Sequence, residues 1–521
     1  MANITVIWIA GTLFIGFATY LFPKLACWLA LGVAVFSSGY AVQLFLLSSP
    51  LDIQLLDSFG VSLILDQLSG FFILTNALVT IAVILYCWQS VNLSSRGRDS
   101  HRFFYTQIII LHGSVNAAFI SADFISLYVA LEVISIAAFL LIAYSRTDRA
   151  IWSGLRYLFV SNTAMLFYLI GAVLVYQTHH SFSYSGLRGS PPEAIALIFL
   201  GLFVKGGVFI LGFWSPLTYS ESETAVSAML SGIVGKAAIF PLVRCALLVE
   251  ELSPVVKIFG VGSAVLGVLW AILERDTKRT LAFSSISQMG FILGAPAVGG
   301  FYALNHGIVK AALFLIEGVL PSSNFQELKE LRLDTKLWFV LAIASCSISG
   351  FPLLAGFGAK VLTTENLLPW QVIVMNLTTI GTAIIFAKFI FLPHEKKPLL
   401  SSAIVEIDRE QSVKELSPTE ISGEKEQKIS AGFWWAIAFL LSGLIAANSY
   451  YYEAYTLRNV VKSLLIIFVG WLGYWLIFKN LAIKLPRENE KLDHLIGLMS
   501  LMLILLLWKI SMQLPTAAVW K

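Results

Sequence analysis

Ala194–Trp214 reads AIALIFLGLFVKGGVFILGFW, an apolar run long enough to cross a bilayer, with Lys205 at its centre and no other charge within ten residues on either side. A lysine at bilayer depth costs about 2.5–3.5 kcal/mol on insertion scales, and chains that retain one use it by default for ion or proton movement. Working outward, Glu132 (SLYVALEVISIAAFLL), Lys236 (LSGIVGKAAIF), His306 and Lys310 (LNHGIVKAALFL) and Lys360 (GFPLLAGFGAK) lie in equally apolar surroundings. The chain reads as a membrane protein threaded by a row of ionisable groups.

Composition agrees. Of 521 residues, 58% are hydrophobic and 13% charged, with a mean hydropathy of +0.81, whereas soluble domains carry about 25% charged residues. The formal charge of +4 is modest and spread over loops, which gives no sign of nucleic-acid binding. Cys27, Cys87, Cys245 and Cys346 sit in or beside apolar runs without CxxC spacing, so they read as packing residues. With no GxGxxG, Walker loop or CxxCH either, no cofactor or metal site is expected, and any electron chemistry belongs to another subunit. Ile4–Phe22 lacks a basic leader and an A-x-A-like site, and reads as a first helix and not a signal peptide.

Apolar runs between charged or turn-rich breaks give about sixteen spans, from Ile4–Phe22 to Leu492–Lys509. Arg96, Arg98 and Arg102 follow the third, Arg275, Lys278 and Arg279 the ninth, and Lys329, Arg332 and Lys336 the eleventh. Loops after even-numbered spans hold only Arg188, Lys257, Arg458 and Lys462. The positive-inside rule then makes the odd loops cytoplasmic and places the amino terminus outside. Trp152, Trp214, Trp370 and Tyr450 to Tyr452, at span edges, read as interfacial anchors. The polar insert 394–428 lacks apolar periodicity and reads as a flexible or surface-lying cytoplasmic loop.

Two spans carry breakers at matching places. Lys205 is followed by Gly206-Gly207, and Lys360 closes GFPLLAGFGA, Gly350 to Ala359. Interrupted helices at corresponding positions mark an inverted repeat, because unwound turns free backbone groups to meet water or ions. The broken spans, seventh and twelfth, are five apart. The predicted organisation is therefore N-terminal helices in 1–122, a first five-helix repeat in 103–250, a second in 254–393, the loop 394–428 and C-terminal helices in 429–521.

A lysine stripped of water holds its proton weakly, and a nearby carboxylate restores the hold, so moving the partner toggles the proton. Glu132 and Lys205 are the predicted switch; the bland alternative is a static ion pair tying two helices. His306 and Lys310, four apart, share one helix face suited to a relay, against the alternative of a hydrogen-bonded packing histidine. Glu317 follows on that face, as tuner or interfacial residue. Lys236 lies too deep to snorkel easily. Arg244 and Lys388 read as structural, and His112 is undecided.

These residues bring a resemblance. Asp123-Phe124 through Leu131-Glu132, Lys205 through Trp214-Ser215-Pro216, Ser231-Gly232 to Lys236, the run DTKRTLAFSSISQMG from Asp276 to Gly290, and His306 through Lys310-Ala311-Ala312-Leu313-Phe314-Leu315 resemble the antiporter-like membrane subunits shared by Mrp-type cation/proton antiporters and complex I. The resemblance covers roughly 66–360. It implies an all-α polytopic fold with a fourteen-helix core, two inverted five-helix repeats and broken helices 7 and 12, to which this chain adds two C-terminal helices. By position Glu132 and Lys205 look like the family's coupling pair, Lys236 its central lysine, His306 and Lys310 its relay and Lys360 its terminal proton site. Lysine at 360 leans toward the Mrp D-type branch or the complex I subunit class that also uses lysine. Leu217, Glu223 and Ala225 depart from the family pattern, which implies a reshaped loop between spans seven and eight. The implied function is the proton-translocating subunit of a monovalent cation (Na+)/H+ antiporter, working with other membrane subunits in a bacterial plasma or thylakoid membrane. The alternative is a proton-pumping subunit of a complex I-like quinone oxidoreductase. A third class is a structural subunit, or one energising bicarbonate uptake.

Overall fold

In lipid every backbone polar group must be paired internally, so a chain this apolar folds as a bundle of helices. A computed structural model describes residues 2–55, 61–93, 97–395, 429–480 and 491–514. Among these, fourteen helices are long and apolar enough to cross a membrane. Two further elements complete the sixteen expected spans. Thr277–Gly294 is polar for its length, with Ser284, Ser285, Ser287 and Gln288 along it, and the twelfth span is divided into Thr335–Ser349 and Ala355–Glu365.

Both breaks share one local design. Pro192–Gly206, the first half of span seven, ends on Gly207 at φ +64°, and Thr335–Ser349 ends on Gly350 at φ +88°. Only glycine adopts that left-handed turn without strain, and it lets the last amides close on the final turn. Val208 donates to the Phe203 carbonyl (2.8 Å), and Phe351 to that of Cys346 (3.0 Å). In each break a bulky residue then turns left-handed as well, Phe209 at +55° and Leu353 at +75°. Phe209–Trp214 and Ser215–Glu221 complete span seven. Spans four to eight run from Gly97 to Leu248, and spans nine to thirteen from Ser253 to Ile390.

Span eight, Thr224 to Leu248, widens into a π-helix over Leu230–Val234, where the Gly235 amide reaches back to the Leu230 carbonyl (3.3 Å). Such a bulge turns the residues beyond it and loosens the carbonyls inside it. The link between spans seven and eight is short: Ser222 and Glu223 join Ser215–Glu221 to Thr224–Met229.

The added C-terminal spans do not form a separate unit. Leu457–Asn480 packs on span thirteen, and Leu492–Gln513 packs on span seven with Leu495, Met499, Met502, Leu506 and Ile510 buried. Of the expected anchors, Trp152, Trp370, Tyr450 and Tyr452 are exposed. Trp214 is not: it is buried, because the break in span seven carries it inward, and its indole N–H donates to the Val204 carbonyl (2.8 Å), which also accepts from the Gly207 amide (3.1 Å). The insert 394–428 opens on a paired segment. His394–Glu395 pairs as a short parallel strand with Leu333–Asp334, with His394 stacked on Trp338 at 3.8 Å. The remainder, 396–428, lies outside the described residues.

Candidate functional site

Lys205 occupies the last turn of a half-helix, where the carbonyl ends of the peptide dipoles favour a cation. Its amine donates to the Leu131 carbonyl (2.9 Å), to Ser161 Oγ (2.6 Å) and to Ser135 Oγ. Ser135 and Ser161 are themselves 3.0 Å apart. The expected contact with Glu132 is not made. Three oxygens already hold the amine, and Glu132 Oε1 is buried without a hydrogen-bond partner. The carboxylate therefore stands one residue along the helix from an atom that the lysine grips.

Lys236 follows the π-turn and donates to two of its carbonyls, Gly232 (2.7 Å) and Ser231 (3.2 Å). Ser231 Oγ meets Ser285 Oγ at 2.7 Å, and Ser285 donates to the Leu281 carbonyl at 3.0 Å. Lys310 donates to the same carbonyl (2.8 Å) and to Ser284 Oγ (2.7 Å). Lys236 and Lys310 thus rest on backbone carbonyls of two spans that meet at the Ser231–Ser285 hydroxyl contact. Gly307 permits this approach: a Cβ there would lie 2.3 Å from Thr75 Cγ2 and 3.1 Å from the Gly232 carbonyl.

His306 shares a helix face with Lys310, but the two side chains diverge. Lys310 turns to span ten, while both His306 ring nitrogens lack hydrogen-bond partners. His306 lines a cavity of about 20 Å3 with Gln288, Tyr302, Asn305 and Lys360, room for one water. Tyr302 donates to Gln288 Oε1 (2.5 Å) at its wall. Lys360 reaches back across the break to the Ser349 carbonyl (3.3 Å), at the end of the preceding half-helix. Lys205, Lys236, His306, Lys310 and Lys360 expose 4, 0, 3, 0 and 9% of their surface, so none of them snorkels to the headgroups.

The remaining ionisable groups are tied into structure. His112 is hydrogen-bonded to Thr80, Ser37 and Asn116. Arg244 pairs with Asp66, and Lys388 caps the Ala271 and Glu274 carbonyls (2.9 and 2.8 Å) at the end of span nine. Glu317 accepts from Thr277 (2.7 Å), with Lys278 4.0 Å away. Glu274, just past span nine, is buried, which raises its carboxyl pKa, but the Arg279 guanidinium at 3.0 Å and the amides of Arg275 and Asp276 outweigh this and hold it below the usual range. The sequence reading missed Ser135, Ser161, Ser231, Ser284, Tyr302 and Gln288. Their signal was present as hydroxyls and amides inside apolar spans, but a lone intramembrane serine most often bonds its own helix.

Residues 121–385 match the family described as NADH:quinone oxidoreductase/Mrp antiporter, TM. Among curated relatives, the D-type Na(+)/H(+) antiporter subunit of Alkalihalophilus pseudofirmus is 29% identical over 329 residues, covering 58% of this chain and 66% of that one. The N-type NADH-quinone oxidoreductase subunit of Desulforudis audaxviator is 30% identical over 366 residues, covering 64% and 72%. In fold, a chain of the Mrp complex from Dietzia sp. DQ12-45-1b superimposes with a TM-score of 0.70 at 19% identity, covering 94% of this chain and 98% of that one.

Proposed function

The chain belongs to the NADH:quinone oxidoreductase/Mrp antiporter transmembrane family, and from that premise we propose that it is the proton-translocating membrane subunit of a multisubunit monovalent cation (Na+)/H+ antiporter. Protons pass through Glu132, Lys205, Lys236, His306, Lys310 and Lys360. In this division residues 103–250 and 254–393 are the two conducting repeats, the amino terminus lies outside, and the membrane is a bacterial plasma or thylakoid membrane. The observation that carries the reading is the cavity shared by His306 and Lys360, where a buried imidazole with both nitrogens unpaired faces a buried amine. A proton held at either group can move through a single bridging water. The Ser231–Ser285 hydroxyl contact between the Lys236 and Lys310 sites supports the same path.

The test is Na+-dependent collapse of a pH gradient in everted vesicles containing the assembled complex. Full exchange by a normally assembled Lys205→Ala protein would rule the path out. The match to an N-type quinone oxidoreductase subunit favours a second reading, a proton-pumping subunit of a complex I-like NAD(P)H-quinone oxidoreductase, in which the same side chains are driven by electron transfer elsewhere. Co-purification with iron–sulfur and nucleotide-binding proteins, in place of small membrane subunits, would select it.

A further inference from the structure

The two breaks are built alike but closed from different places. In span seven the strained Phe209 amide donates to Ser263 Oγ (2.9 Å), a hydroxyl of span nine within the second repeat. In span twelve the equally strained Leu353 amide donates to the Tyr455 hydroxyl (3.1 Å), beyond the repeats in the turn before span fifteen. That hydroxyl donates onward to Asn448 Oδ1 (2.8 Å), and its ring packs on Phe357 at 4.9 Å. Ser463, in span fifteen, donates to the Gly350 carbonyl at 2.6 Å. The neighbouring carbonyl, Ser349, is the one gripped by the Lys360 amine. Tyr451 ties the far end of the span through Glu365 (2.8 Å). The side chains that brace the span-twelve break, Tyr451, Tyr455 and Ser463, all lie past residue 385, where the family match ends.

A break in lipid leaves an amide and a carbonyl that nothing in their own helix can pair, and a leucine at positive φ persists only where its surroundings over-determine it. Tyr455 takes the amide and Ser463 the carbonyl. We propose that Ser463 and Tyr455 are positioning residues for Lys360: by holding the turn at Gly350–Leu353 they place the Ser349 carbonyl, and so the point at which the Lys360 amine rests between proton transfers. The C-terminal segment 449–463 is then part of the conducting machinery and not only a surface for partners. This rests on the proposed role of Lys360 in proton movement.

The test uses the assembled complex carrying Tyr455→Phe or Ser463→Ala. Amide exchange by mass spectrometry should quicken about fivefold across 350–354, as a lost hydrogen bond allows. The pH of half-maximal transport should shift by at least about half a unit, as expected when the site's hold on its proton changes. Ser463→Thr, which keeps the hydroxyl, should restore both values. Ser442→Ala, which removes a hydroxyl bonded only to its own helix at Phe439 (2.8 Å), should change neither. Unchanged exchange in both variants overturns the brace. Faster exchange with an unchanged pH profile overturns the positioning role. Full transport by Lys360→Ala would instead overturn the underlying reading, and any positioning role with it, while leaving the exchange result standing.

Discussion

Lys205 and Glu132 are neighbours that do not touch: the amine is bonded 2.9 Å from the Leu131 carbonyl, one residue before the glutamate, while Glu132 Oε1 is buried with no hydrogen-bond partner. Ser135 and Ser161 occupy the place that an ion pair would fill. Under the proposed role, the lysine leaves its serines for the carboxylate and returns to them as the proton moves. An amine held by serines beside an unpaired carboxylate oxygen is not a static helix-tying ion pair, and it suits the proposed switch.

Glu132→Gln keeps the side chain's size and removes the charge, so the lysine stays on its serines. Sodium-driven proton movement in everted vesicles is expected to fall at least about tenfold, the effect of about 1.4 kcal/mol on a rate-limiting transfer. Wild-type rates in this variant would remove the glutamate from the path.

Ser135→Ala removes one of the oxygens gripping Lys205 while Ser161 and the Leu131 carbonyl remain. The loss of one hydrogen bond to a charged group, about 1.5–3 kcal/mol, weakens that resting place. The pH dependence of transport should move while assembly, read by co-purification of the complex, is unchanged.

Gly350→Ala places a methyl group 2.9 Å from Lys360 Cδ at a position with φ +88°. The backbone strain alone costs about 1–2 kcal/mol, and the lysine stem must shift. Transport is expected to fall more than thermal stability does. Gly307→Ala should lower both, since its methyl would wedge span eleven from span three, 2.3 Å from Thr75 Cγ2, and lie 3.1 Å from the Gly232 carbonyl that Lys236 uses. Overpacking of this kind costs about 1–3 kcal/mol, visible as a lower unfolding temperature in detergent.

Glu274 provides a pH test away from the proton path. Its carboxyl is held below the usual range in the folded protein by Arg279 and two backbone amides, against the opposing effect of burial. A lowered folded-state pKa contributes stability that is present above the unfolded value, about 4.3, and lost as pH falls through the folded one. Acidification from about pH 6 toward 3 should therefore lower the unfolding temperature of the wild type more steeply than that of Glu274→Gln. Parallel curves would show that the pair contributes nothing.

Length and apolarity alone determined the number of spans, because lipid admits few alternatives to a helix of about 20 residues. The same reasoning located both breaks, since glycines and a proline beside an intramembrane lysine have no place in an uninterrupted helix. Ionisable groups stood out for the same reason, each too costly to be incidental. Which atoms those groups touch was decided only by tertiary structure. Sequence spacing put His306 and Lys310 on one face, yet Lys310 bonds to span ten while His306, its nitrogens unpaired, lines the cavity it shares with Lys360 of span twelve. Trp214 lies in the core and not at the interface because the break in span seven carries it inward, where its N–H meets the Val204 carbonyl. The braces from Tyr455 and Ser463 come from about 100 residues away in the chain, and no local pattern records which hydroxyl will meet an unpaired carbonyl. Burial in lipid is a property of composition, whereas hydrogen-bond partnership depends on how helices distant in sequence are packed.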